Sequence, residues 1–178
     1  MALFYLHDLR VIGETPRCDF AVRVNASDHL GPAIQELADQ IDHQYQSNGW
    51  FNELHILCHG TPQGLLLGTP ILTQLNLGSA FTPLRGKVGN IIVHGCGAAA
   101  VYNRGTPPAG PYNGELFCRL LAISAGASVS ASSAAQTYIP SASMVNTSGR
   151  NQLSAWRGIV GTWNSHGQLI GQSSPSQR

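Results

Sequence analysis

Charge is what this chain has least of. Only 11% of its 178 residues are Asp, Glu, Lys or Arg, well under the ~25% of an average soluble protein. Ten basic and nine acidic side chains leave a formal charge of +1. No Lys/Arg run occurs, so neither nucleic acid nor an anionic membrane surface is an expected partner. No stretch approaches the ~18 consecutive apolar residues of a membrane helix. The opening MALFYLHDLRV lacks the basic segment and long apolar core of a secretory signal. The expected location is therefore cytoplasmic, or reached by a route without an N-terminal signal peptide. Cysteine is sparse: Cys18, Cys58, Cys96 and Cys118 include no Cys-x2-Cys pair, and free thiols in a reducing compartment are the simpler reading. No motif calls for a cofactor. Acids are missing from the C-terminal third, all nine lying at or before Glu115; Ser, Ala, Gly and Thr take their place.

The chain is not short of apolar material. At 43% hydrophobic it can bury a core, and its length suits one domain, expected over residues 1–172 with a disordered tail at 173–178. Leu3–Leu6 and Phe20–Val24 read as strands. Asn25-Ala-Ser-Asp28 signals a helix start, and Ile34, Leu37, Ala38, Ile41 and Tyr45 recur at helical spacing until Asn48-Gly49,. Leu54–Cys58 reads as a strand, Thr61–Gly64 as a turn, and Leu65–Leu67 as the return of a small hairpin. Val88–His94 is a further buried strand. The Pro/Gly-rich stretch from Tyr102 to Asn113 is a loop, Gly114–Ala125 a helix, and Ala127–Ser132 a strand rich in small residues. Residues 137–155 read mostly as loop. Gly158–Trp163 and Gln168–Gly171 form an expected C-terminal β-hairpin turning at Asn164–Gly167. Strands alternating with helices long enough for crossovers predict an α/β three-layer sandwich, with a mainly parallel sheet covered on both faces.

In such sheets function collects at the carboxyl ends of the strands. Two strands end alike there: Leu54-His-Ile-Leu-Cys-His59-Gly60, and Asn90-Ile-Ile-Val-His-Gly95-Cys96-Gly97. If the strands are parallel neighbours, His59 and Cys96 emerge side by side. A thiol becomes an effective nucleophile at neutral pH when an imidazole stands beside it. Gly60 would let a substrate backbone approach, and its N–H and that of Cys96 could hold a developing oxyanion. Cys58 points to the opposite strand face from His59 and reads as packing, as does Cys118; Cys18 lies in a loop, and His166 in an exposed turn. One rival from another class is a metal site built from His55, His59, His94 and Cys96.

The ordered set of these motifs resembles the caspase-like cysteine peptidases. The segment His59-Gly-Thr-Pro-Gln-Gly-Leu-Leu-Leu-Gly68 is similar to caspase-like domains of large bacterial proteins, including CHAT-type relatives. So are Gly95-Cys-Gly-Ala-Ala-Ala100, Ala127-Ser-Val-Ser-Ala-Ser132 and the hairpin with Trp163 and Gly167. The likeness covers Phe4 to about Ile170. It implies the caspase-like topology and a cysteine endopeptidase acting on a protein or peptide substrate. In that mechanism His59 and Cys96 are catalytic, and Gly60 and Cys96 form the oxyanion hole. It also implies that Ser130, Ser132 and Ser133 line the substrate pocket. Asp8 is the candidate carboxylate for a basic substrate residue, and Arg10, Arg17 or Arg157 the candidates for an acidic one. His94-Gly95-Cys96 departs from the Gln-Ala-Cys of caspases, so their preference for Asp is not inherited. Such domains are commonly switched by a regulatory protein partner, self-association or processing, for which Arg104 is a candidate point. A catalytically inactive protein-interaction module is the alternative within the same fold.

Overall fold

Alternation along the strands decides which residues meet the core. The computed structural model describes residues 2–11, 13–44, 52–100, 112–136 and 157–174. Its elements run β1 (Leu3–Asp8), β2 (Phe20–Val24), α1 (Leu30–Gln44), β3 (Glu53–Leu57), β4 (His59–Thr61) and β5 (Gly64–Leu66). A 3-10 turn (Thr82–Leu84) follows, then β6 (Asn90–Val93), α2 (Gly114–Ala125), β7 (Ser128–Ser132), β8 (Val160–Trp163) and β9 (Leu169–Ser173). Seven strands form one sheet in the order β2-β1-β3-β6-β7-β8-β9, while β4 and β5 pair separately. The pairings β1–β2, β1–β3, β3–β6 and β6–β7 are parallel; β7–β8 and β8–β9 are antiparallel. The expected mainly parallel α/β sheet is present, and so is the C-terminal hairpin. The hairpin extends one residue past its expected domain boundary, since Ser173 pairs with Val160.

Register aligns one row of apolar side chains across the sheet: Phe4, Leu54, Ile91, Val129 and Trp163, with Leu6, Ile56, Val93 and Ala131 as a second row. All belong to one core cluster with Ile34, Leu37, Ala38 and Ile41 of α1 and Phe117, Cys118, Leu121 and Ala122 of α2. Both described helices therefore bury against the same face, and each fully buried Leu, Ile or Phe contributes roughly 1.5–3 kcal/mol of transfer free energy. The other face carries Tyr5, His7, His55, Leu57, Ile92 and Ser130 by alternation. Tyr5, His7 and Leu57 are buried there too, while His55, Ile92 and Ser130 are partly exposed.

Local chemistry explains the helix limits. Asn113 caps α2 by accepting the Leu116 N–H at 2.9 Å, and Gly126 closes it in the left-handed region (φ 64°),. Arg85 Nη2 donates to the Ile123 carbonyl at 2.7 Å, satisfying a last-turn acceptor. The first helix begins at Leu30, just after the Asn25–Asp28 start signal, where the Asp28 carboxylate accepts the Asn25 N–H at 2.7 Å and holds a turn. The expectations for Asn48-Gly49, for Arg104 and the rest of 102–111, for 137–155 and for 175–178 lie outside the described residues.

Candidate active site

The strand order reverses beside β1: the chain leaves β1 for β2 on one side, whereas β3 leads on to β6 on the other. In parallel α/β sheets such a switch point opens a crevice at the carboxyl ends of the strands. His59 and the 9–11 segment after β1 meet there. His59 Nε2 lies 2.9 Å from the backbone carbonyl of Arg10. A carbonyl only accepts, so in the neutral ring Nε2 carries the hydrogen and Nδ1 is left with a free lone pair.

His59 does not simply end the preceding strand. The ladder of β3 stops at Leu57, Cys58 is unpaired, and His59 opens β4, opposite Leu66. His55 and His59 consequently do not share a strand face, as they would if one strand ran on through both. Within the small hairpin Gly60 faces Leu65, whose N–H and C=O both bond to Leu72 at 2.9 Å. Alternation of an antiparallel pair then turns the Gly60 N–H away from β5. A Cβ at Gly60 would stand 1.7 Å from the Cys96 carbonyl oxygen. The backbones of residues 60 and 96 are therefore in direct contact, which places His59 and Cys96 in adjoining segments.

Cys96 sits in a tight turn. Ala98 N–H bonds to the Gly95 carbonyl, and Ala100 N–H to that of Gly97. Gly97 N–H and Ala99 N–H reach across to the carbonyls of Ala134 and Ser132 at 2.9 and 3.0 Å. Among the described residues the Cys96 N–H has no acceptor. Its thiol is partly exposed and donates to the Gln136 carbonyl at 3.3 Å; no hydrogen bond joins it to His59. The other thiols are held protonated. Burial, then the charge of Asp19, raises Cys18; burial above all raises Cys58 and Cys118,. Cys58 is core packing as expected, its sulfur 3.2 Å from where a Cβ at Gly95 would stand. Cys18 is only partly exposed.

Two of the expected pocket residues are closed off. Asp8 is fully buried, and its carboxylate accepts from Arg10 N, Arg10 Nε, Arg10 Nη2 and Gly68 N at 2.6–3.0 Å. A carboxylate already engaged by a bidentate guanidinium and a backbone amide offers nothing to a substrate cation. Arg10 is likewise neutralised. Ser132 is fully buried; its hydroxyl donates to the Arg157 carbonyl and accepts the Ala134 N–H at 3.1 Å. Ser130 pairs with Thr162 at 3.1 Å across β7 and β8. Of the three serines only Ser133 is exposed.

The four-residue metal set does not assemble either. Among the described residues no group of three or more His, Cys, Asp or Glu has metal-holding geometry. His55 and His94 do meet, but in another arrangement. Glu53 Oε1 accepts from His55 Nε2 at 2.7 Å, His55 Nδ1 lies 2.9 Å from His94 Nε2, and the Tyr5 ring lies tilted against His55 with ring centroids 4.9 Å apart. The hydrogen bond from His55, reinforced by its charge, holds the Glu53 carboxyl below the usual range despite burial. Burial first, and then the neighbouring His55, pushes His94 down to about 3.

A pH dependence of stability follows. In the unfolded chain an imidazole protonates near ~6.5, whereas folded His94 stays neutral down to about 3,. Between those values the unfolded state binds the extra proton, so acid favours unfolding. Above pH ~6.5 His94 adds no pH dependence. Below it stability is expected to fall by about 1.4 kcal/mol per pH unit on this account. Urea unfolding at pH 7 to 4.5 measures the slope, and His94→Gln should flatten it by that amount; an unchanged slope in the variant would show that His94 is not the group responsible.

Two participants were not singled out in the sequence, Gln136 beside the thiol and the Arg10 carbonyl beside His59. A backbone carbonyl has no side-chain signature, so only contact reveals it. Among the described residues no helix is long and apolar enough to cross a membrane. No protein-family model, curated protein or solved structure matches the chain.

Proposed function

We propose that this chain is a cysteine endopeptidase of the caspase-like kind, in a three-layer α/β architecture of that topology, with His59 and Cys96 as its dyad. The observation that carries this reading is the bond from His59 Nε2 to the Arg10 carbonyl at 2.9 Å, because it leaves Nδ1 as the proton acceptor. The contact of Gly60 with Cys96 at the switch point of the sheet supports it further, as does a Cys96 N–H with no acceptor among the described residues.

The chemistry then runs as follows. The Cys96 thiol gives its proton to His59 Nδ1, and the thiolate attacks the scissile carbonyl carbon. The resulting oxyanion takes hydrogen bonds from the N–H groups of Gly60 and Cys96. As the C–N bond breaks, His59 returns the proton to the leaving amine, and a thioester remains on Cys96. Water, deprotonated by His59, attacks the thioester and releases a carboxylate and the thiol. With Asp8 engaged by Arg10, a basic residue before the scissile bond has no carboxylate waiting at that position. The substrate is a protein or peptide, and Asp8 does not select a basic residue before the scissile bond.

One observation favours the second reading, an inactive interaction module: the thiol is bonded to Gln136, not to His59. Intact-mass labelling with a thiol-directed peptidyl electrophile separates the two. A single adduct mapping to Cys96 is expected. Slow adducts scattered over Cys18 and the other thiols would mean that no activated thiol exists, and the module reading would stand.

A further inference from the structure

Asp8 is a fully buried acid that the proposed chemistry does not use. Its four donors come from two separate places. Arg10 N, Nε and Nη2 bind it from the segment after β1 at 3.0, 2.7 and 2.6 Å, and Gly68 N binds it at 2.8 Å from two residues past β5, at the end of the hairpin where Leu66 pairs with His59. Arg10 Nη2 also donates to the Gly68 carbonyl at 3.1 Å. One carboxylate and one guanidinium thus tie together the two segments that meet at His59. The first supplies the Arg10 carbonyl, and the second is the hairpin that His59 opens. Other bonds hold the first segment but do not reach the hairpin: Leu9 N–H to the Val24 carbonyl at 2.9 Å, Val11 N–H to the Asp8 carbonyl at 2.9 Å, and His7 Nε2 to the Val11 carbonyl at 3.0 Å.

We infer that Asp8, acting through Arg10, is a positioning residue that holds the Arg10 carbonyl against His59 Nε2 and so selects the His59 tautomer with Nδ1 free for the thiol. This rests on the reading of His59 as the base. Residue 10 is suited to the task because its backbone and its side chain answer to the same anchor. Its N–H and its guanidinium both bind the Asp8 carboxylate, so its carbonyl does not drift from the ring without loosening charge-assisted bonds,. A tautomer with hydrogen on Nδ1 would present a donor to the thiol and could accept no proton from it. Loss of this register is costly even with the dyad intact, since a displacement of about 1 Å at a reacting group can lower a rate ~10²-fold.

The experiment is nitrogen-resolved NMR of the His59 ring in the full chain, together with the rate of Cys96 labelling by the peptidyl electrophile. The wild type, Asp8→Asn, Arg10→Ala and Arg10→Lys are compared. Arg10→Ala keeps the backbone carbonyl and the N–H bond to Asp8 and removes the guanidinium that joins them to the Gly68 segment, whereas Asp8→Asn weakens both. The wild type should show a single Nε2–H tautomer. Arg10→Ala and Asp8→Asn should show a mixture and a labelling rate lower by roughly 10²-fold, while Arg10→Lys restores part of both. A mixed tautomer in the wild type itself overturns the inference, whether or not any variant folds. So does an unchanged single tautomer in folded Arg10→Ala or Asp8→Asn. A wild type that holds the Nε2–H tautomer but labels Cys96 no faster than His59→Ala would instead retire the peptidase reading and leave the positioning role standing.

Discussion

Gly60→Ala is expected to silence Cys96, with a labelling rate lower by roughly 10²-fold or more and a stability loss of about 1–3 kcal/mol from overpacking. The added Cβ would stand 1.7 Å from the Cys96 carbonyl oxygen, 2.7 Å from its carbon and 3.0 Å from its nitrogen. Every one of these atoms is backbone, so no rotamer change relieves the overlap. Either the β4–β5 hairpin or the turn at residues 95–97 must move by more than an ångström. Both are pinned, the hairpin by Leu72 and the turn by Ala134 and Ser132. Movement separates the two N–H groups assigned to the oxyanion and shifts His59, one residue away. Gly31→Ala is the matched control: nothing lies within 4 Å of its Cβ, and it should leave labelling unchanged while stabilising by up to ~1 kcal/mol. Wild-type labelling by folded Gly60→Ala would show that residue 60 does not press on the nucleophile's backbone in solution.

His59→Ala should lower peptide turnover by roughly 10²–10⁴-fold, the usual worth of a positioned acid–base group, while Cys96→Ala removes the adduct altogether. The two assays ought to respond differently to pH. An unassisted thiol ionises near ~8.5, so raising the pH to ~9.5 supplies thiolate without His59, and the labelling deficit of His59→Ala should shrink. Turnover demands more, because the leaving amine must still receive a proton as the C–N bond breaks. Its deficit should persist at the higher pH. Deficits that shrink together would indicate that His59 only ionises the thiol; an unchanged labelling rate at pH 7 in His59→Ala would remove His59 from the mechanism.

Much of the fold was legible because periodicity is a local property. Ile34, Leu37, Ala38 and Ile41 repeat at helical spacing, and all four are buried. The alternation through Leu54 and Ile56 likewise placed β3 against the core. Errors arose where a strand stops. His55 and His59 look like same-face residues of one run, yet the ladder ends at Leu57 and the chain turns into β4. Ser132 reads as a pocket hydroxyl but lies under the Arg157 carbonyl. Asp8 reads as an open acid, yet Arg10 and Gly68 fill its sphere. Each of these outcomes depends on a partner distant in the chain, or on a bend that apolar spacing does not mark.

The sequence by itself determined the alternating order of strands and helices and the parallel sheet that this order demands. It also determined the placement of a His-Gly and a Gly-Cys just beyond two apolar strands, because side-chain period and crossover length are set within a few residues. Tertiary structure alone decided what those residues face. It set Gly60 against the Cys96 backbone, brought the Arg10 carbonyl to His59, directed the thiol to Gln136, joined His55 to His94 and sealed Asp8 beneath Arg10. The physical reason is that hydrogen bonds and close contacts between segments depend on angstrom-scale register and on backbone groups, and every residue type carries the same carbonyl.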